Sequence, residues 1–410
     1  MLNHLRPQYA KGFRCIGAEC EDTCCHGWRV VVDKGTYEKY RSNSDLRSLT
    51  DNHLVLITSS PTNSAHALIK LTPSFNCPFL AADRLCSIQK EHGEEYLAEG
   101  CSTYPRVARR IDGLMEKALY LSCPEAARLV LLNPSLMQAD ESATGGRSPY
   151  YRFFLMGSPA KNYGSPLRYR WEIRSLSLLL LQDRAYPLWQ RLFILGMFCK
   201  RLKKIISQRQ IGLVPGLLKD YAEIITQGQL RSAMDGISAQ TEPQLRAVLE
   251  IIQRYNDPKF RNTGQIRLWE CVQDFLRGIR YDPSSPIESY TQFYAEAHSR
   301  YYRPFMLEHP YIMENYLINY VFRTDFPFLA SRQGEGHDVQ REYLNMCIQY
   351  AAIRGLLIGM AGHYRAAFGA GHVVKLVQSF SKAVEHCPAF LETSNPRMAS
   401  AEGMALLLKT

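Results

Sequence analysis

The 410-residue sequence lacks any uninterrupted apolar run of the roughly 18 to 20 residues that a membrane-spanning helix needs. Its longest apolar runs, 176–181 and 192–199, have the length of core-helix segments. The N-terminus, MLNHLRPQYAKGFR, has neither an apolar h-region nor a small-residue cleavage site. We therefore expect a cytoplasmic protein without a membrane partner. Its 46% hydrophobic content suffices for one large core or, more readily, two.

Several familiar signatures are also missing. No C-x2-C pair, the knuckle of zinc fingers and ribbons, occurs in the chain. The radical-type C-x3-C-x2-C spacing is absent because Cys25 directly follows Cys24. There is no internal repeat, heptad array or low-complexity tract, and no DNA- or RNA-binding motif. We expect no nucleic-acid partner.

The cysteines are unevenly distributed along the chain. Eight of the twelve cysteines lie in the first 123 residues, where an even spread would place fewer than four. The first group reads C-x4-C-x3-C-C, and the other four cysteines are more widely spaced. The eight are Cys15, Cys20, Cys24, Cys25, Cys77, Cys86, Cys101 and Cys123.

Three causes can produce such a density. A disulfide framework is typical of short secreted chains, which this chain does not resemble. Buried free thiols suit the isolated Cys199, Cys271, Cys347 and Cys387, but they do not explain the adjacent Cys24 and Cys25, whose side chains diverge. Thiolate ligation of a soft metal or an iron-sulfur cluster explains the order best. The residues leave zinc and iron-sulfur both open.

Charge is distributed unevenly about a turn-rich stretch at 141–150. Residues 1–145 hold 16 Lys and Arg against 17 Asp and Glu, whereas 146–410 hold 33 against 22. Within the second part, 146–204 hold 12 basic residues against 2 acidic ones. This block, including Arg168, Arg170 and Arg174, is either a solvated helix face or a steering surface for an acidic partner.

Periodicity predicts a mainly α fold, in which a small cysteine-rich α+β unit, residues 1–145, docks on an all-helical body, residues 146–410. Leu245, Val248, Leu249 and Ile252 repeat at helical spacing after Thr241, which begins a capping-box pattern. Similar stripes run through 269–279, 312–322, 351–360 and 373–384. In the first part, 28–33 and 117–122 are predicted as strands, and 91–99 and 124–132 as helices.

The cysteine segments resemble the flagellin lysine N-methylase family. The resemblance rests on 13–33 (FRCIGAECEDTCCHGWRVVVD), 77–80 (CPFL), 85–89 (LCSIQ), 101–106 (CSTYPR) and 121–128 (LSCPEAAR). It continues near the other end in 314–323 (ENYLINYVFR), 326–328 (FPF), 351–360 (AAIRGLLIGM) and 377–386 (VQSFSKAVEH). The first half also resembles the zinc- or iron-chelating CxxCxxCC proteins, but coverage is essentially full length and favours the methylase.

The resemblance implies methyl transfer from S-adenosylmethionine to lysine ε-amines of flagellin. It also implies a cysteine-ligated iron-sulfur cluster, which we expect to be 4Fe-4S, with zinc as the alternative. The role of this centre is either structural or catalytic. A rival interpretation is a non-catalytic metal-binding or redox-sensing protein with a helical partner-docking body. The glycine-rich loop that most such methyltransferases place after a strand is absent, and Gly369–His372 is better explained as a helix-helix turn.

Six residues are candidates for the catalytic pocket. Tyr104 and Arg106 belong to the CSTYPR segment, and Glu314, Asn315, Asn319 and Arg323 belong to 314–323. On a helix, Asn315, Asn319 and Arg323 form one polar stripe. This stripe lines a pocket or, alternatively, satisfies a helix interface with a polar network.

Overall fold

The structure is a computed structural model that describes residues 4–5, 8–111, 114–137, 165–237, 240–255, 266–328, 338–384 and 409. The described chain is mainly helical, with a small α+β region near its N-terminus, as the sequence predicts. The turn-rich stretch and the expected boundary near residue 145 lie outside the described residues, as does Cys387. The division into 1–145 and 146–410 stays a prediction.

The described residues of the N-terminal region form two three-stranded sheets and six short α-helices. One sheet has the order β1-β6-β5, with β1 parallel to β6, and the other is antiparallel with the order β2-β4-β3. The strands are β1 His4–Leu5, β2 Val31–Val32, β3 Leu54–Leu56, β4 Ala67–Ile69, β5 Arg106–Ile111 and β6 Leu114–Leu119. The helices are α1 Gln8–Gly12, α2 Lys34–Ser42, α3 Ser44–Thr50, α4 Ser87–His92, α5 Glu99–Thr103 and α6 Pro124–Leu131.

The rest of the described chain is helical. Its helices are α7 Arg170–Gln182, α8 Leu188–Ser207, α9 Val214–Gln227, α10 Arg231–Asp235, α11 Thr241–Tyr255, α12 Ile266–Gly278, α13 Glu288–Ala297, α14 Arg303–Glu308, α15 Tyr311–Thr324, α16 Val339–Tyr364 and α17 Ala370–Val384. Every predicted helical stripe falls in one of them. Helix α16 is central and packs against α8, α11, α12, α13 and α17.

Local chemistry explains several boundaries. Asp33 caps α2, since its carboxylate accepts the backbone N–H of Thr36 at 2.9 Å. Pro124 occupies the first turn of α6, where its missing N–H costs nothing. The prediction of one helix over 91–99 is wrong, because Gly93 adopts φ 98° and ends α4. The chain then forms a 3₁₀ turn at Glu94–Tyr96 before α5 begins.

Two hydrophobic cores organise the molecule. The smaller one lies under the β2-β4-β3 sheet and includes Val32, Tyr40, Leu46, Ala67 and Phe79. The larger one contains the helical body, together with α1, the β5–β6 hairpin and α6. The larger core therefore takes residues from both sides of the expected boundary.

One stretch among the described residues, Val339–Ala367, is long and apolar enough to span a membrane, with a mean hydropathy of 1.3. In the fold, 94% of its apolar window is buried inside the protein. Polar residues, among them Asn345, Gln349 and Arg354, interrupt this stretch, so it is not an uninterrupted apolar run. The burial is that of a central core helix.

Candidate functional site: a cysteine-lined pocket

Backbone pairing brings the two cysteine groups together. Cys77 donates its backbone N–H to the carbonyl of Cys25 at 2.8 Å, and Gly27 donates to Phe75 at 3.0 Å. The ring of His26 lies 2.7 Å from the side-chain oxygen of Asn76. Residues 25–27 and 75–77 thus form a short antiparallel bridge. Two cysteines that are 52 positions apart become neighbours.

Three thiols surround that of Cys25. Those of Cys24, Cys77 and Cys86 all lie within hydrogen-bonding reach of it. The bond from Cys25 lowers the pKa of Cys24 to about 7 and that of Cys86 to about 6, and it also lowers the pKa of Cys77. The same three contacts and burial raise the pKa of Cys25. A thiol carries one proton, so Cys25 can donate to one of these neighbours at a time, and the lowered pKa values favour a thiolate at that neighbour.

The chemistry of this donor set suits a soft metal, since thiolate sulfur favours zinc and iron-sulfur centres. The described residues contain no group of three or more His, Cys, Asp or Glu side chains that could hold a metal ion as arranged. The thiol of Cys25 lies beside those of Cys24, Cys77 and Cys86, but the four are not arranged as a ligand cage. All the described cysteines are free thiols.

An open pocket of about 520 Å³ lies beside this cluster. Its walls include seven of the eight N-terminal cysteines: Cys15, Cys20, Cys24, Cys25, Cys86, Cys101 and Cys123. Cys77 is buried behind them. Burial raises the pKa of Cys101 and of Cys123 to about 12, and it raises that of Cys20 as well. These three thiols stay protonated where the cluster thiols ionise.

Tyr104 and Arg106 line the same pocket. The hydroxyl of Tyr104 lies 3.1 Å from that of Ser122, and its ring packs 5.7 Å from that of Trp28. Burial raises the pKa of Tyr104, so its hydroxyl stays neutral. The guanidinium of Arg106 lies 5.0 Å from the ring centre of Phe13. The structure thus brings these two predicted residues together with the cysteines.

Asp22 is a pocket residue that sequence reasoning missed. Its carboxylate accepts from the ammonium of Lys382 at 2.9 Å and from the side-chain amide of Gln378 at 2.8 Å. Burial opposes ionisation, but the ammonium of Lys382 and the hydrogen bonds from Thr23 and Gln378 together outweigh it and hold the pKa of Asp22 below its ordinary value. The sequence signals were the resemblance of 13–33, which contains Asp22, and that of 377–386, which contains both partners.

The other four predicted residues lie on α15, outside this pocket. Glu314 is buried and accepts from Arg184 at 3.0 and 3.1 Å and from Arg191 at 2.7 Å. It lines a separate pocket of about 310 Å³ together with Asn315. The side-chain amide of Asn315 donates to the carbonyls of Val130 and Asn133 at 3.0 and 2.7 Å, at the end of α6.

The rest of the α15 stripe also makes internal contacts. The amide of Asn319 donates to the carbonyl of Leu119 at 3.1 Å, and its oxygen accepts from the hydroxyl of Tyr9 at 2.7 Å. The guanidinium of Arg323 lies 5.3 Å from the ring centre of Tyr320. These contacts are those of a polar network at a helix interface. A catalytic role for the stripe stays a prediction.

The prediction that the basic block is an exposed surface, either a solvated helix face or a steering surface, is wrong at two of its three named positions. Arg170 and Arg174 have side chains that are 15% and 3% exposed, and both pair with Asp325. Arg174 also pairs with Glu116 at 2.7 Å. Much of the described basic excess therefore neutralises interior carboxylates. Among the described residues of this block, the exposed cations are Arg184, which precedes α8, and Lys200, Arg201, Lys203 and Lys204 on α8.

Comparison with known proteins decides the family. Residues 174–408 match the family model described as the FliB lysine N-methylase C-terminal domain, which is more than half of the chain. The chain belongs to the FliB lysine N-methylase family. The resemblance drawn from the cysteine and α15 segments is confirmed.

Relatives extend the match beyond that domain. The chain is 25% identical over 390 residues to proteins named Lysine-N-methylase from Salmonella typhimurium and Salmonella choleraesuis, covering 93% of this chain and 91% of each relative. It is 33% identical over 155 residues to the flagellar biosynthetic protein FliU of Salmonella muenchen, covering 37% of this chain and 90% of that protein. No solved structure matches.

The matched lysine N-methylase domain includes the helices that meet the cysteine pocket. Gln378 and Lys382 lie within 174–408, whereas all eight pocket-associated cysteines precede it. The contacts at Asp22 therefore join the family domain to the cysteine segment. Family membership supports protein lysine methylation as the activity of the chain.

Proposed function

We propose that the chain is an S-adenosylmethionine-dependent lysine N-methyltransferase that acts on flagellin in the cytoplasm and carries a cysteine-ligated iron-sulfur centre. The family match and the relatives' names support the reaction and the flagellar substrate. The observation that carries the proposal is one pocket that combines seven cysteines with Tyr104 and Asp22.

Cys24, Cys25, Cys77 and Cys86 are the residues that would hold the centre, because the thiol of Cys25 already lies beside the other three. When bound, such a centre supplies a cross-link between the two cysteine groups and places soft iron and sulfur atoms beside the pocket. Zinc bound by the same four thiolates is the alternative.

The pocket suits a methyl transfer to an amine. Its volume lies in the range of about 300 to 1,000 Å³ that is typical of small-molecule sites. The reaction forms a nitrogen–carbon bond as the sulfur–carbon bond of the donor breaks, so the lysine must first lose a proton. Apolar walls such as Phe13, Leu97 and Pro105 disfavour the ammonium form by desolvation.

Polar groups in the pocket orient the substrate amine. The hydroxyls of Tyr104 and Ser122 can accept from an amine N–H. Because Lys382 holds the pKa of Asp22 low, that carboxylate is a poor proton acceptor and serves better as an electrostatic partner. The released proton passes to solvent at the open side of the pocket.

The proposed reaction is tested with anaerobically purified protein, flagellin and methyl-labelled S-adenosylmethionine. Label should appear on flagellin lysines, located by mass spectrometry of its peptides. Tyr104→Phe should slow the transfer roughly tenfold by removing one orienting hydroxyl. Tyr316→Phe, which removes a hydroxyl in the helical core, is the matched control. Absence of S-adenosylmethionine binding by calorimetry would remove the enzymatic proposal.

The centre is tested separately by its composition. Anaerobically isolated protein should be brown and contain iron and acid-labile sulfide. Colourless protein with stoichiometric zinc and no sulfide would replace the iron-sulfur centre by the zinc alternative.

A further inference from the structure

Two side chains of α17 reach across to the loop that carries Cys20 and Cys24. Gln378 donates its amide to the carboxylate of Asp22 and to the carbonyl of Ser122, both at 2.8 Å. Lys382 donates to the same carboxylate at 2.9 Å and to the carbonyl of Thr23 at 3.0 Å. One turn of one helix therefore makes four hydrogen bonds to the pocket wall.

A third residue completes this contact from α12. Arg267 donates to the side-chain oxygen of Gln378 at 3.1 Å and to the carbonyl of Glu21 at 3.3 Å. We call Arg267, Gln378 and Lys382 the loop clamp. All three belong to the matched FliB domain, and they hold three consecutive residues of the cysteine loop, 21–23.

Burial makes the loop clamp specific. Gln378 is 0% exposed, and the side chains of Lys382 and Asp22 are 12% and 14% exposed. A buried amide or ion pair is costly when one partner is removed, since the other is left desolvated and unpaired. The loop is thus fixed in one position relative to α17.

The held residues lie between ligand candidates. Asp22 is two positions from Cys20 and two from Cys24, and Ser122 directly precedes Cys123. Gln378 contacts both segments, so it ties two walls of the pocket to one helix. Ordering a loop costs conformational entropy, and the clamp contacts oppose that cost.

We propose that the loop clamp consists of positioning residues, through which the helical methylase domain sets the arrangement of the pocket thiols. The link from this arrangement to methyl transfer rests on the proposed function. The positioning of the thiols does not, because it is a property of the chain's own contacts.

The test compares Lys382→Met with Lys375→Met. Lys375 lies on the same helix and pairs with Glu270 at 2.7 Å, so its variant removes an equivalent cation away from the loop. The measurement is the rate at which iodoacetamide alkylates Cys20 and Cys24 in the purified holoprotein, with iron loss to a chelator followed in parallel. Lys382→Met should raise both rates about tenfold, Lys375→Met should leave them unchanged, and Lys382→Arg should restore the original rates.

Equal rates in the Lys382→Met and Lys375→Met proteins would overturn the proposal. If Lys382→Met fails to fold, Asp22→Asn tests the same contact, since it keeps the side-chain size while it removes the charge and one acceptor oxygen. An unchanged alkylation rate there would also overturn the proposal. Faster alkylation in a protein that never methylates flagellin would leave the clamp standing and remove the proposed function. The opposite result is methylation of flagellin by the unaltered protein while Lys382→Met changes neither the alkylation rates nor the KM for flagellin. That result would support the proposed function and overturn the clamp.

Discussion

Arg174 is a cation enclosed by the protein. It is 2% exposed, pairs with Glu116 at 2.7 Å and lies 3.7 Å from a carboxylate oxygen of Asp325. Its guanidinium also lies 4.7 Å from the ring centre of Phe322. Removing one partner of a buried pair leaves uncompensated charge, which costs more than the pair itself contributes.

We expect Arg174→Met to lower the free energy of unfolding by about 3–5 kcal/mol, because Glu116 and Asp325 lose their buried cation. Urea denaturation measures this loss. Lys200→Met, at an exposed position of α8, should change stability by less than about 0.5 kcal/mol. Similar small effects in both variants would mean that the interior network contributes little.

Glu342 gives a pH-dependent prediction. Burial raises the pKa of this glutamate from its ordinary 4.5 to about 7. Between these pH values the carboxyl of Glu342 is ionised in the unfolded chain and neutral in the folded one. The free energy of unfolding therefore falls by up to about 3 kcal/mol as pH rises to 7. Below pH 4.5 the group is neutral in both states and contributes no such loss.

We therefore expect Glu342→Gln to stabilise the protein at pH 8 and to have little effect at pH 4.5. Unfolding in urea at both pH values measures the difference. Glu223→Gln, at an exposed position, is the control and should show no comparable pH dependence. An equal effect of Glu342→Gln at both pH values would contradict the raised pKa.

At the scale of the elements, the packing of helix α12 against helix α16 requires their backbones to approach closely. A side chain at Gly278 would collide with the backbone carbonyl of Gly359, and one at Gly359 would collide with the ring of Phe275. Backbone cannot give way as a flexible side chain can. Close packing of this pair positions α12, which carries Arg267 of the loop clamp.

Gly278→Ala should destabilise the protein by several kcal/mol or prevent folding, because helix α12 must move away from α16. The matched control is Gly216→Ala on α9, where no atom lies within 4 Å of the added carbon. That variant should gain roughly 0.5–1 kcal/mol from helix propensity. The midpoints of thermal unfolding of the two variants measure this difference. A Gly278→Ala protein as stable as the original would show that the two helices can separate at little cost.

The elements also show what periodicity can predict. The stripes at 312–322 and 373–384 fall within α15 and α17, since one apolar face at 3.6-residue spacing needs no distant information. The predicted strand at 28–33 shortens to Val31–Val32. Strand length depends on which residues the partner strand offers, and the residues of this segment that β4 pairs with are Val31 and Val32.

At the scale of the whole molecule, the cysteine order predicted the convergence of the two groups but not its geometry. The Cys25–Cys77 pairing depends on a bridge between segments 50 residues apart. Asp22 and Lys382 are separated by 360 positions, and neither has a local pattern that indicates the other. Similarly, the basic composition of 146–204 could not reveal that Arg174 faces inward, because its partners Glu116 and Asp325 come from distant elements.

The most direct test of the account is one paired measurement of metal content and flagellin methylation in Cys77→Ser and Cys347→Ser proteins. Both cysteines are buried, but Cys77 joins the four-thiol cluster and Cys347 lies in the core of α16. We expect Cys77→Ser to lose the bound centre and the methylation of flagellin, since an open ligand position weakens metal-coupled folding. Cys347→Ser should retain both. Equal loss in the two proteins, or full methylation by Cys77→Ser protein without a centre, would contradict the account.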